Sequence, residues 1–127
     1  MCIRDSITIE PVVTQAEIVD LQERAGRVFV EDSVLEYLLR IVAATRTESE
    51  FRTGVSVRGG LALKQAAQAR ALLLGRDFVL PEDVTKLVVP VLAHRLALAR
   101  QGADALEESA AIETILRRLL SHLPEPV

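Results

Sequence analysis

One arginine stands at the start of an expected helix with no acid nearby to neutralise it. The segment Gly54-Val55-Ser56-Val57-Arg58-Gly59-Gly60 runs straight into the alanine-rich stretch Leu61 to Leu74. Ser56 brings a hydroxyl that can accept a backbone N–H in a first helical turn. The N-terminal end of a helix already carries partial positive charge, so a guanidinium there is unfavourable unless an anion lies close. No Asp or Glu occurs between Thr53 and Gly75. The pattern therefore points to an anion from outside the segment, and a nucleotide phosphate suits the two-pronged grip of a guanidinium. The competing reading is a solvated arginine with no ligand.

Other chemistry is sparse. The chain has no Gly-x-x-x-x-Gly-Lys-Ser/Thr phosphate loop, no His-Glu-x-x-His and no Gly-x-Ser-x-Gly. Its two histidines, His94 and His122, are far apart in the chain. His94, beside Arg95 near a helix end, is expected to cap backbone carbonyls or join a salt bridge, and His122 to lie on the surface. Asp32, Glu36, Glu82 and Asp83 fall in first turns of expected helices, where the dipole accounts for them. Cys2 is the only cysteine, which excludes an internal disulfide and a multi-cysteine zinc site and fits a reducing compartment. No metal site is expected.

The elements that must hold Arg58 follow from composition and spacing. The 127 residues are 50% hydrophobic but only 3% aromatic, the material of one small core of packed aliphatic helices. The expected class is all-α, a small helical bundle. A net charge of -3 and a pI near 5.4 provide no general attraction to nucleic acid. No apolar run approaches the roughly 18 to 20 residues that span a bilayer, and no signal peptide is visible.

Met1 to Ser6 share no pattern with the rest of the chain and are read as a leader or artefact, leaving residues 7–127 as the domain. Thr14 and Glu17 form a capping box for a helix from Gln15 to Ala25, with Ile18, Leu21, Ala25 and Val28 on one face and Gly26 as the stop. Val28 to Val30 reads as a short extended stub. Asp32 is then the expected cap of a second helix, Ser33 to about Thr45, with Leu35, Leu38, Leu39 and Val42 inward. Arg46 to Thr53 reads as a polar loop. The third helix opens near Ser56 and ends at Leu74 before Gly75, with Ala62, Ala66, Ala69 and Leu73 as its inner stripe. Phe78-Val79 is a second stub, able to pair with Val28 to Val30. Pro81-Glu82-Asp83 starts a fourth helix, although Leu80 at its cap offers no side-chain acceptor. Pro90 predicts a kink or break, Arg100 to Glu108 a spacer, and Ala110 to Ser121 a last helix with Glu113 placed to pair with Arg117.

Taken in order, these pieces are more specific than any one alone. The Val-Phe-Val stub, Ala-Thr45-Arg46, Gly54-x-Ser56-x-Arg58, Leu74-Gly75-Arg76-Asp77-Phe78-Val79-x-Pro81-Glu82-Asp83-Val84 and Val91-Leu92-Ala93-His94-Arg95-Leu96 together resemble the C-terminal helical lid of MoxR-type AAA+ ATPases. The resemblance covers about Pro11 to Pro126, and magnesium-chelatase ATPase subunits share much of it. It implies that Arg58 is the sensor-two arginine, reaching ATP across a cleft, with the backbone of Gly54, Ser56 and Val57 near the nucleotide. It also implies that the Walker motifs, the arginine finger and the Mg2+ site belong to a core domain outside this chain. ATP hydrolysis would need the two joined.

The partners implied are that core, neighbouring subunits of a homo-oligomeric ring and von Willebrand factor A-domain proteins. The setting implied is a cytoplasmic, chaperone-like remodelling motor with no nucleic acid or membrane partner. Two departures stand out: Val57 replaces the family's usual proline, and Gly59-Gly60 replaces alanine or serine. The double glycine should loosen the helix start by up to about 1 kcal/mol per glycine. The alternatives are a free-standing helical protein-interaction adaptor with no nucleotide role, and a helix-turn-helix DNA binder, against which the acidic charge counts.

Overall fold

Thr14 opens the first helix as its spacing requires. In the computed structural model, which describes residues 7–127, its hydroxyl accepts from the Glu17 N–H at 3.1 Å, and the Glu17 carboxylate accepts from the Thr14 N–H at 3.1 Å. Residues Met1 to Ser6, read as a leader, lie outside the described residues. The helix, α1 (Gln15–Gly26), runs through Gly26 and is capped by Arg27, so Gly26 is not its stop. None of its residues is buried, and Ile18 is 41% exposed. Val28, just beyond it, is the first residue to reach the core. The two stubs pair as expected: the Phe29 N–H donates to the Asp77 carbonyl at 2.8 Å and the Val79 N–H to the Phe29 carbonyl at 2.9 Å, a parallel bridge between Phe29 and Phe78.

The second helix, α2 (Asp32–Thr47), starts one position earlier than expected. Glu31 holds the cap position without a side-chain bond, and Asp32 lies in the first turn. Its buried face is Val34, Tyr37, Leu38, Ile41, Val42 and Thr45. The expected stripe shares Leu38 and Val42 with this face, but Leu35 is only half-buried and Leu39 is 56% exposed. Two apolar stripes overlap on this helix, and Tyr37 and Ile41 decide which one turns inward.

The stretch read as a polar loop is partly structured. Arg46 and Thr47 belong to α2, and Phe51–Thr53 forms strand β1, paired antiparallel with β2 (Ala97–Leu98). Phe51 stands opposite Leu98, and both are buried. The Glu108 carboxylate accepts from the Leu98 N–H at 3.1 Å, tying the ladder to the last helix.

The third helix, α3 (Val57–Leu73), packs most extensively against the fourth, α4 (Pro81–Leu92). Its inward residues are Gly59, Leu63, Ala67, Gln68 and Ala71. The expected stripe of Ala62, Ala66, Ala69 and Leu73 is wrong by about one residue, and Leu73 is 79% exposed. Because apolar residues occur on every side of this helix, periodicity alone does not set its rotation. Leu63 is the bulky side chain that the core selects. Gln68 is buried with it, donating its amide to the Val28 carbonyl at 2.9 Å and so fastening the first stub to α3.

The turn from α3 to α4 is clamped. Gly75 adopts φ +78, the left-handed conformation that favours glycine, and serves as the expected stop. Its N–H donates to the Leu72 carbonyl and the Arg76 N–H to the Ala71 carbonyl, both at 2.9 Å. Arg76 then makes two hydrogen bonds to Asp83, at 2.7 and 2.8 Å, and one to the Phe78 carbonyl at 2.9 Å. Asp83 is only 1% exposed, has Arg70 as a second cationic neighbour at 3.2 Å, and accepts from the Leu80 N–H at 2.8 Å. It therefore does far more than face a helix dipole. Burial pushes its carboxyl pKa up, but the Arg76 and Leu80 hydrogen bonds and the charges of Arg76 and Arg70 outweigh that and hold it below the ordinary value.

Helix α4 carries Pro90 within its span and ends at Leu92, passing into a 3-10 turn at Ala93–Arg95. The last helix, α5 (Ala105–Ser121), begins inside the stretch read as a spacer. Asp104 caps it, accepting from the Glu107 N–H at 2.8 Å. Glu113 pairs with Arg117 as its spacing predicts. No helix among the described residues is long and apolar enough to cross a membrane.

Candidate functional site at the start of helix α3

The first turn of α3 is set by contacts on both sides of Val55. At the end of α2, Thr45 is buried. Its hydroxyl donates to the Val42 carbonyl at 2.7 Å and accepts the Val55 N–H at 3.0 Å. Arg46 Nε donates to the Val55 carbonyl at 2.9 Å. Ser56 then caps α3 as expected, its hydroxyl accepting from the Gly59 N–H at 3.2 Å.

Ser56→Ala should therefore cost about 1 kcal/mol of stability, read as a lower urea midpoint with an unchanged slope.

The glycines of this segment answer to close packing. A Cβ at Gly54 would lie 2.5 Å from the Arg46 Cα and 2.8 Å from its backbone nitrogen. A Cβ at Gly59 would lie 2.5 Å from Val55 Cγ1 and 3.3 Å from Arg95 Cδ. The double glycine is thus not merely a loosened helix start: Gly59 makes room for Val55, which is buried beneath the first turn.

Arg58 itself is exposed and makes no ion pair or side-chain hydrogen bond with any described residue. Burial in an internal ion pair would have removed the anion reading. No acid occupies the first turn of α3, and the stem of Arg95 runs beside Gly59. Val57, Gly60, Leu61, Lys64 and Arg46 help to line an apolar groove of about 230 Å³ between α2 and α3. Arg58 belongs to the same turn but not to that lining.

All four expected site residues, Gly54, Ser56, Val57 and Arg58, therefore sit on one short, tightly held segment. First-turn N–H groups and an unneutralised guanidinium both attract negative charge, although the Gly59 N–H is already taken by the Ser56 hydroxyl. Elsewhere, His94 is exposed and makes no salt bridge among the described residues, while Arg95 caps the Val91 carbonyl at 3.2 Å. His122 lies at the surface as expected, capping α5. No cluster of metal-ligating side chains occurs among the described residues.

The roles of Thr45 and Arg46 escape sequence reasoning, since they read as an ordinary helix end. Ala-Thr45-Arg46 is among the segments that carry the resemblance, but nothing in it names a backbone partner.

Residues 43–117, more than half of the chain, match the family model of the AAA lid domain. The chain belongs to that family. The match opens within α2 and closes within α5, so it encloses the Thr45–Gly60 segment and its supports. Protein YeaC of Bacillus subtilis is 39% identical over 120 residues, covering 94% of this chain and 37% of the relative. Chaperone MoxR1 of Mycobacterium tuberculosis is 33% identical over 124 residues, covering 91% of this chain and 32% of the relative. Among solved structures, a candidate ATPase from Cytophaga hutchinsonii superposes with a TM-score of 0.75 at 26% identity, over 88% of this chain and 36% of that one. This lid thus spans about a third of the length of each of these proteins. Its resemblance to the lids of MoxR-type proteins stands, as does the helical fold that the resemblance implied.

Proposed function

We propose that this lid closes over ATP held by a Walker-containing core of its parent protein and presents Arg58 to the phosphates. The observation that carries the reading is Arg58 itself, exposed and without an acidic partner among the described residues, on a capped and acid-free first turn. A guanidinium in that position can offer two parallel N–H donors to phosphate oxygens and stabilise charge that builds on them during transfer. It would hold the lid closed while the terminal phosphate is present and release it afterwards, coupling nucleotide state to lid position. Gly54, Ser56 and Val57 shape the backbone beside it. Mg2+ is assigned to the core, where it would neutralise phosphate charge.

The motor would be a homo-oligomeric ring with chaperone-like remodelling activity in the cytoplasm, acting with von Willebrand factor A-domain partners. The names of the MoxR relatives and the AAA lid family support the ATPase part of this reading.

The test is ATP turnover by the parent protein with Arg58→Ala. A fall of roughly a hundredfold to a thousandfold is expected for losing one charged donor at the phosphates. Unchanged turnover together with unchanged nucleotide affinity would overturn the reading and favour an adaptor.

A further inference from the structure

Val55, just before α3, is gripped at both of its backbone polar groups by consecutive residues at the end of α2. Its N–H donates to Thr45 Oγ1 at 3.0 Å and its carbonyl accepts from Arg46 Nε at 2.9 Å. The Thr45 hydroxyl gives its own proton to the Val42 carbonyl at 2.7 Å, which orients its acceptor side toward Val55. The grip is close because Gly54 has no side chain to hold Arg46 away. The side chain of Val55 is locked as well, since its Cγ1 fills the space that a Cβ on Gly59 would occupy. From this fixed residue the chain passes directly through the Ser56 cap to Arg58.

We propose that Thr45 and Arg46 are positioning residues for Arg58, an assignment that rests on the phosphate role given to Arg58 above. They fasten the start of α3 to the end of α2, so the guanidinium leaves the lid from one backbone conformation. Without them a segment carrying Gly54, Gly59 and Gly60 has more conformations to sample. Misplacement by about 1 Å can reduce a catalytic contact severely. The competing case is that both residues only satisfy the polar groups of a buried Val55, in which event they matter for stability and not through Arg58.

The two cases separate in the full-length parent ATPase. Thr45→Val keeps the shape and removes the acceptor, Thr45→Ser keeps the hydroxyl, and Arg46→Met keeps the stem and removes the donor. Each is measured for ATP kcat/KM alone and combined with Arg58→Ala. Thr45→Val and Arg46→Met should lower kcat/KM by about three- to tenfold when Arg58 is present and by less than about twofold when it is absent, with Thr45→Ser close to the unaltered protein.

Equal losses in both backgrounds, or no loss with Arg58 present while Arg58→Ala alone is impaired, would overturn the positioning role and leave the phosphate role standing. If Arg58→Ala alone has no effect on turnover or nucleotide affinity, the phosphate role fails and this assignment fails with it. Should Thr45→Val lose cooperative melting, Arg46→Met decides.

Discussion

Asp83→Ala is expected to lower the unfolding free energy of this chain by about 3 kcal/mol, near the lower end of what breaking a buried ion pair costs. Asp83 is 1% exposed and receives hydrogen bonds from Arg76 and the Leu80 N–H, with Arg70 beside it. Alanine removes all of these acceptors at once. The lower end applies because the side chains of Arg76 and Arg70 as a whole keep 21% and 30% exposure, although the Arg70 Nε that faces Asp83 is itself buried.

Urea unfolding at neutral pH measures the loss. Asp83→Asn, which keeps an acceptor but no charge, should fall between alanine and aspartate. The sign of the pH dependence comes from the lowered carboxyl pKa. A group that gives up its proton more readily when folded stabilises the fold above its unfolded pKa of about 3.9. That contribution is lost as pH falls through the lower folded value. The stability gap between the native chain and Asp83→Asn should therefore be constant at neutral pH and close in acid, below about pH 4.

Gly54→Ala is expected to destabilise the chain by about 3 kcal/mol, the upper part of the range for overpacking. The methyl would meet the Arg46 Cα at 2.5 Å and its backbone nitrogen at 2.8 Å. These atoms belong to the end of α2 and cannot rotate aside as a side chain can. Relief means moving α2 away from α3, which stretches both hydrogen bonds to Val55. Gly26→Ala is the matched control, since a Cβ there meets nothing within 4 Å and the residue lies in a helix. It should raise stability by up to about 1 kcal/mol. Thermal melting of the two variants side by side checks both, and a Gly54→Ala protein as stable as the native chain would contradict the packing account.

Local chemistry was legible in the sequence, and what depends on distant partners was not. The Thr14 box, the Ser56 cap, the Gly75 stop and the Glu113–Arg117 pair are written within a few neighbouring positions, and each occurs as read. So is the acid-free first turn of α3, because a stretch without acids can be seen directly. The rotation of α3 is not legible because alanines surround it and only Leu63, meeting the core, fixes the inner side. The β1–β2 ladder does not show in the sequence because Phe51 and Leu98 lie far apart along the chain and each strand is too short for alternation to show. Asp83 read as an ordinary first-turn acid, since nothing in Pro81-Glu82-Asp83 announces that Arg70 and Arg76 fold back onto it. Thr45 and Arg46 were similarly silent: their partner is a peptide group, which every residue possesses.

Helix α1 adds no buried residue to the core, and what holds it is its packing along α3. Its mooring is the Phe29–Phe78 bridge and the Gln68 amide at Val28. A helix without a fully buried side chain is expected to open at a smaller free-energy cost than global unfolding. The outer edge of the domain is thus free to fray and reseal while the Arg58 turn, anchored to the end of α2, keeps its shape.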